Sequence, residues 1–120
     1  MPTLFTQRSA LQLATLSTLV LLLAAPVAAS SGSVLIHSPT PGQKLDIMEQ
    51  NRIDYEVTPG PNGDHVHVYV DDKEVGILRQ LKGSYTFESL PEGERTICIK
   101  VVNKAHVPIG VQECVKVTIG

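Results

Sequence analysis

No run of basic residues occurs anywhere in this 120-residue sequence, so it lacks the electrostatic footprint of a nucleic-acid binder. It also has no Gly-x-Ser-x-Gly turn, no P-loop and no glycine-rich dinucleotide fingerprint. Those absences remove the usual signs of hydrolase, nucleotide and dehydrogenase chemistry, and no serine sits in a context that marks a nucleophile. There is no tryptophan, no internal repeat, no low-complexity tract and no Asn-x-Ser/Thr sequon. Sulfur is scarce, at two cysteines and two methionines. Nor does any segment sustain a helical hydrophobic period. The reading is therefore of a binding module and not an enzyme.

What is present begins with a leader. Arg8 is the only charge in residues 1–29, and the stretch from Leu11 to Ala25 is apolar apart from Gln12, Thr15, Ser17 and Thr18. Small residues follow in Pro26-Val27-Ala28-Ala29 and place a signal-peptidase site after Ala29. The strongly apolar part is shorter than the roughly 20 residues that span a bilayer, which favours a cleaved secretory signal over an anchor. No twin arginine precedes it, and no cysteine at the cleavage point could take a lipid. Residues 30–120 are then one domain, periplasmic or secreted, with no membrane attachment after cleavage. That domain keeps nine basic and twelve acidic residues, well scattered. Its one methionine, Met48, is too little for a sulfur-rich Cu(I) site.

Cys98 and Cys114 are the only cysteines, and in an exported chain a lone pair reads as a disulfide; two thiols binding a metal are the competing reading. Short apolar or alternating stretches separated by proline and glycine turns predict strands near Val34–His37, Arg52–Val57, a stretch ending at Val70, Glu74–Leu78, Ser84–Glu88, Arg95–Val102 and Gly110–Ile119. Lys44–Ile47 could add a short edge strand. About seven strands in this style argue for an antiparallel β-sandwich. If Cys98 faces Cys114, the last two strands pair Ile97 with Val115, Thr96 with Lys116, Lys100 with Gln112 and Val101 with Val111. The aliphatic residues then share the inner face, except that Glu113 falls opposite Ile99, which suggests a bulge or a frayed inner edge.

The order Ser38-Pro39-x-x-Gly42, an alternating strand ending in aspartate, and Leu90-Pro91-Glu92-Gly93-x-x-Thr96-Ile97-x-Ile99-x-Val101-Val102 resembles small bacterial immunoglobulin-like or fibronectin-III-like domains. More narrowly, the stretch from Asp64 to Asp71, with Ser38–Gly42 upstream and Asn103–Gly110 downstream, is similar to a group of secreted bacterial domains carrying an H-x-H-x-x-x-D strand. The resemblance covers nearly all of residues 34–119. It implies an all-β, immunoglobulin-like fold and an exported location, and it raises metal binding. His-Val-His on a sandwich strand also resembles the copper ligands of copper–zinc superoxide dismutase. That two-metal site needs more histidines than the four found here, and its long zinc-binding loop is missing.

The stretch Asp64-His65-Val66-His67-Val68-Tyr69-Val70-Asp71-Asp72 concentrates the functional content. On a strand, Val66, Val68 and Val70 face one side, and His65, His67 and Tyr69 the other. Imidazoles two residues apart, about 6.6 Å along the strand, can tilt towards one Cu(II), Zn(II) or Ni(II) ion. In an immunoglobulin-like arrangement the loop after Val102 lies at the same end as His65. That loop brings His106 close as a third ligand, from a segment expected to be mobile. Lys100, on the same face of the neighbouring strand, would repel a cation near His67. Two readings stand at this point. One is a copper- or zinc-binding accessory using His65, His67 and His106; the other is an interaction domain for an envelope protein, with the histidines on a solvated polar face. His37, at a strand end, reads as structural, and the acidic turn of Asp71, Asp72 and Glu74 matches no calcium loop. The leader reading carries its own check: the intact mass of the exported product should begin at Ser30, give or take about two residues. A membrane-held product retaining Leu11–Ala25 would overturn it.

Overall fold

The computed structural model describes Thr15, residues 17–21 and residues 32–120. The expected cleavage point after Ala29 and most of the leader lie outside the described residues. Eight strands follow one another: β1 Ser33–Ser38, β2 Lys44–Leu45, β3 Arg52–Thr58, β4 His65–Val70, β5 Lys73–Leu78, β6 Lys82–Thr86, β7 Gly93–Val102 and β8 Pro108–Ile119. They form two sheets, ordered β1-β3-β6 and β2-β8-β7-β4-β5. No helix among the described residues is long and apolar enough to cross a membrane. Every pairing is antiparallel except that of β2 with β8, which is parallel and only two residues long.

The alternation of side chains builds the core between the sheets. Ile53, Tyr55 and Val57 of β3 pack against Val66, Val68 and Val70 of β4, Ile97, Ile99 and Val101 of β7, and Val115, Val117 and Ile119 of β8. Tyr55 carries a hydroxyl into this layer and donates it to the Gln80 carbonyl at 2.8 Å, so the polar atom is satisfied. On the outer face of the smaller sheet, Asp54 accepts from Ser38 Oγ and Ser84 Oγ. Those hydrogen bonds, Ser84 first, hold its carboxyl below the usual carboxylate range. Strand β6 begins two residues earlier than its alternation suggested, because Leu81 already accepts from the Val57 amide at 2.6 Å. Phe87 is buried all the same, just past the strand, where its amide donates to the Asn51 carbonyl.

The terminal hairpin follows the expected register for most of its length. Thr96↔Lys116, Ile97↔Val115, Cys98↔Cys114, Ile99↔Glu113 and Lys100↔Gln112 are all paired, and the two cysteines are bonded. Glu113 interrupts nothing; it stays exposed opposite Ile99. The irregularity lies further on, between Lys100 and Val102, and Val102 pairs with Pro108. The expected Val101–Val111 pair is therefore not formed. Gly110, at φ +89°, takes the backbone conformation that this slip requires on β8.

A second slip, in the β4–β5 hairpin, matters more. The Asp71-Asp72 turn has φ of 49° and 65°, a two-residue connection with both central residues left-handed. Asp71 also accepts from the Thr96 amide and pairs with Arg95 at 3.0 Å. The aspartate of the H-x-H-x-x-x-D pattern thus clasps β4 to β7. Val66↔Leu78, His67↔Ile77 and Val68↔Gly76 are in one register, and Tyr69↔Glu74 and Val70↔Lys73 in the next, with Val75 the extra residue. Tyr85 of β6 secures the bulge, donating its hydroxyl to the Val75 carbonyl at 2.9 Å. Gly76 leaves room for that ring, since a Cβ there would lie 2.6 Å from it.

The disulfide closes a loop across a sequence separation of 16 and joins the paired strands β7 and β8. Replacing both cysteines by serine is expected to cost about 3 kcal/mol, from the loop-closure entropy returned to the unfolded chain. Urea unfolding of the exported protein with and without the bond measures this directly. A loss below about 0.5 kcal/mol would mean the hairpin needs no covalent support.

Candidate metal centre

Strand β4 is the central element of the site, hydrogen-bonded to β5 on one side and β7 on the other. Its valines enter the core as expected. Its histidines are not on a wet surface: His65 and His67 are each only 1% exposed. The expectation of a solvated polar face is corrected here. Val102 lies opposite His65 in the register and is buried too, and the 103–107 loop rises from that strand end. Burying imidazoles without partners is costly, so what their nitrogens face decides what the site can do.

Three nitrogens face one another. His65 Nε2 lies 3.0 Å from His67 Nε2, and His106 Nδ1 lies 3.2 Å from the first and 3.1 Å from the second. His106 is 41 residues from His65 in sequence. It arrives through the tight β7–β8 loop, whose backbone hydrogen bonds to Asn103. Asn103 Oδ1 accepts from the Ala105 and Val107 amides. Its backbone carbonyl accepts from the His106 amide at 2.9 Å, and its own amide donates to the Val107 carbonyl. His106 itself holds φ at +62°, a conformation a non-glycine residue adopts only when its surroundings require it.

Outer partners fix which nitrogen carries a proton. Asp64 Oδ2 accepts from His65 Nδ1 at 2.8 Å. That hydrogen bond, acting first, holds the Asp64 carboxyl below its usual range. An ionised carboxylate can only accept, so His65 donates from Nδ1, and its Nε2 faces His67. Burial pushes the His67 pKa below its ordinary value, opposed by Glu74 and reinforced by the other two histidines. Lone pairs this close repel unless a proton or a cation lies among them. Neutral imidazole nitrogens 3.0–3.2 Å apart can all reach one ion with bonds of about 2.0–2.1 Å.

Lys100 does pair with His67 in the register, but its ammonium lies 4.4 Å from the centre of the Tyr69 ring. That is a cation–π contact on the aromatic face. His37 is not part of the cluster; it lies on β1, beside Glu56 at 3.3 Å. Met48 is exposed in the segment after β2, and the cluster contains no sulfur. Glu74, which sequence reasoning placed only in a doubtful calcium turn, comes within 3.4 Å of His67 Nδ1. Its position depends on the β5 bulge, and no local sequence signal marks that bulge.

No protein-family model matches the chain, and no curated protein matches it either. Solved structures do. The fibronectin(III)-like modules of Clostridium thermocellum CbhA match with a TM-score of 0.58 at 17% identity, over 72% of this chain and 94% of that one. An engineered protein matches with a TM-score of 0.52 at 17% identity, over 78% of this chain and 21% of that longer one. At such identities the likeness concerns the fold alone. The chain is an all-β sandwich whose fold is like that of fibronectin(III)-like modules.

The depressed His67 pKa has a consequence for stability. Below the ordinary histidine value of 6.5 the unfolded chain takes up a proton at this residue before the folded protein does, so stability falls as the pH drops through that range. The lowered carboxyls of Asp54, Asp64 and Asp71 act only below their ordinary value of 3.8, outside that window. Metal-free protein should therefore lose stability as the pH falls through about 6.5, and His67→Gln should flatten the profile. Urea unfolding of chelator-treated protein tests this; identical slopes in the two proteins would remove His67 as the cause.

Proposed function

We propose that this chain is an exported binding module that holds one transition-metal ion, Cu(II) or Zn(II), through His65 Nε2, His67 Nε2 and His106 Nδ1. The observation that carries the reading is the convergence of these three nitrogens to within 3.2 Å, two of them from buried rings. All-nitrogen donor sets suit Cu(II) and Zn(II) and disfavour hard, oxygen-seeking cations. Asp64 would strengthen His65 as a donor through its hydrogen bond, as carboxylates behind metal-bound imidazoles do. Strand β4 would hold two ligands rigidly while the Asn103-clasped loop adds the third. Export to the periplasm or beyond, after removal of residues 1–29, fits a domain stapled by Cys98–Cys114.

A second reading keeps the sandwich as an interaction domain for an envelope protein. Ile77 and Val107 favour it, because they stand 51% and 53% exposed beside the histidine cluster.

Titration separates the two. The purified exported protein should take up about one equivalent of Cu(II) or Zn(II), and at a free-ion level of about 100 times Kd its stability should rise by about 2.7 kcal/mol. Binding should fade below about pH 6 as protons compete for the imidazoles. His65→Ala and His67→Ala should each weaken binding strongly, and His106→Ala should do so too, since its loop is fastened. If the wild type binds nothing below millimolar, or His65→Ala/His67→Ala binds equally well, the interaction-domain reading takes its place.

A further inference from the structure

His67 Nδ1 is the only buried side-chain polar atom among the described residues that has no hydrogen-bond partner. Such atoms are rare in folded proteins and each needs a reason. The nearest candidate is the Glu74 carboxylate, with Oε1 3.4 Å away but not aligned for a hydrogen bond. We propose that Glu74 is the positioning residue for His67, and that its carboxylate accepts the Nδ1–H of His67 when Nε2 holds the metal ion. The proposal rests on the metal-binding reading above and deepens it.

The two neighbouring imidazoles are treated differently by the fold. His65 already has its outer nitrogen satisfied by Asp64 at 2.8 Å, whereas His67 does not. Coordination withdraws electron density from an imidazole, so its remaining N–H becomes a stronger donor. A carboxylate that already lies 3.4 Å away but out of line is then drawn into alignment. Glu74 is free to make that adjustment, being 45% exposed at its side chain and lying on the edge strand of its sheet.

The sheet irregularity is what puts it there. In an unbroken β4–β5 register Glu74 would face Val70, on the core side of the strand pair. The extra residue Val75 shifts it opposite Tyr69, onto the face that carries His67. A one-residue slip moves a side chain from one face of a sheet to the other. Tyr85 and Gly76 hold the slip in place. A buried apolar strand partner would need no such device, and a charged residue at that position would be costly if it pointed inward.

Zn(II) titration of the exported protein, with Glu74→Ala and Glu74→Gln alongside the wild type, provides the test. Glu74→Ala should weaken Zn(II) binding by about 10–100-fold, and Glu74→Gln, which keeps a weaker acceptor, should fall between. Both should still fold when metal-free, since the side chain is half-exposed and on an edge. In the Zn(II)-loaded wild type the His67 Nδ1 proton should be protected from exchange and visible by NMR, and Glu74→Ala should lose that signal. Zn(II) binding by Glu74→Ala within about twofold of wild type, or an unprotected Nδ1 proton in loaded wild type, overturns the role of Glu74 and leaves the histidine site standing. A wild type that binds no Zn(II) or Cu(II) overturns the site itself, and this inference with it.

Discussion

Everything at this site depends on β4 being held in a single register between β5 and β7. A strand alternates its side chains with a period of two, so a slip of one residue would send its valines outward and its histidines into the core. The core side prevents this, because Val66, Val68 and Val70 interlock with the aliphatic rows of β3 and β7. Asp71 adds a polar lock at the strand end by binding the Thr96 amide and Arg95. With the valines committed, His65 and His67 have no freedom to point elsewhere. The apolar packing on one face is what positions the nitrogens on the other.

Two departures from regular pairing complete the arrangement. On one side the slip near Lys100 and the Asn103-bound loop turn β7 into β8 sharply enough to bring His106 over the strand end. On the other, the Val75 bulge brings Glu74 round to the histidine face. Regular antiparallel ladders would have given a flat face bearing two imidazoles. The irregularities convert it into a concave cluster with three convergent nitrogens and carboxylates behind two of the rings. The disulfide lies in the regular stretch of β7 and β8, so it supports the hairpin without entering the site.

The likeness to fibronectin-III-like modules explains the scaffold and leaves the cluster to this chain's own residues. Fold and function are separable in such sandwiches, where the same layers carry unrelated sites. Here the specific element is the pairing of an alternating histidine strand with a loop histidine at the same pole. Lys100 shows how far side-chain placement decides the outcome. A residue whose strand position alone would set a positive charge beside His67 instead lays that charge on Tyr69.

Much of the framework was legible in the sequence because it follows from short-range rules. Alternation in Arg52–Val57 and Ile97–Val101, punctuated by proline and glycine, sufficed for an all-β sandwich; the cysteine pair set the register of the last hairpin. The choice of His65, His67 and His106 as neighbours followed from that topology. Burial of the histidines was not legible, since alternation says which face a residue is on and nothing about what covers that face. Neither were the two bulges, because a one-residue slip is set by packing such as Tyr85 against Gly76 and by no local signal. The strand sequence by itself determined that two imidazoles share a face. Only the tertiary structure decided that both rings are buried, that the loop nitrogen lies within 3.2 Å of theirs and that Glu74 stands behind His67, because burial and convergence depend on strands and loops packing together and Glu74 on a bulge that packing sets.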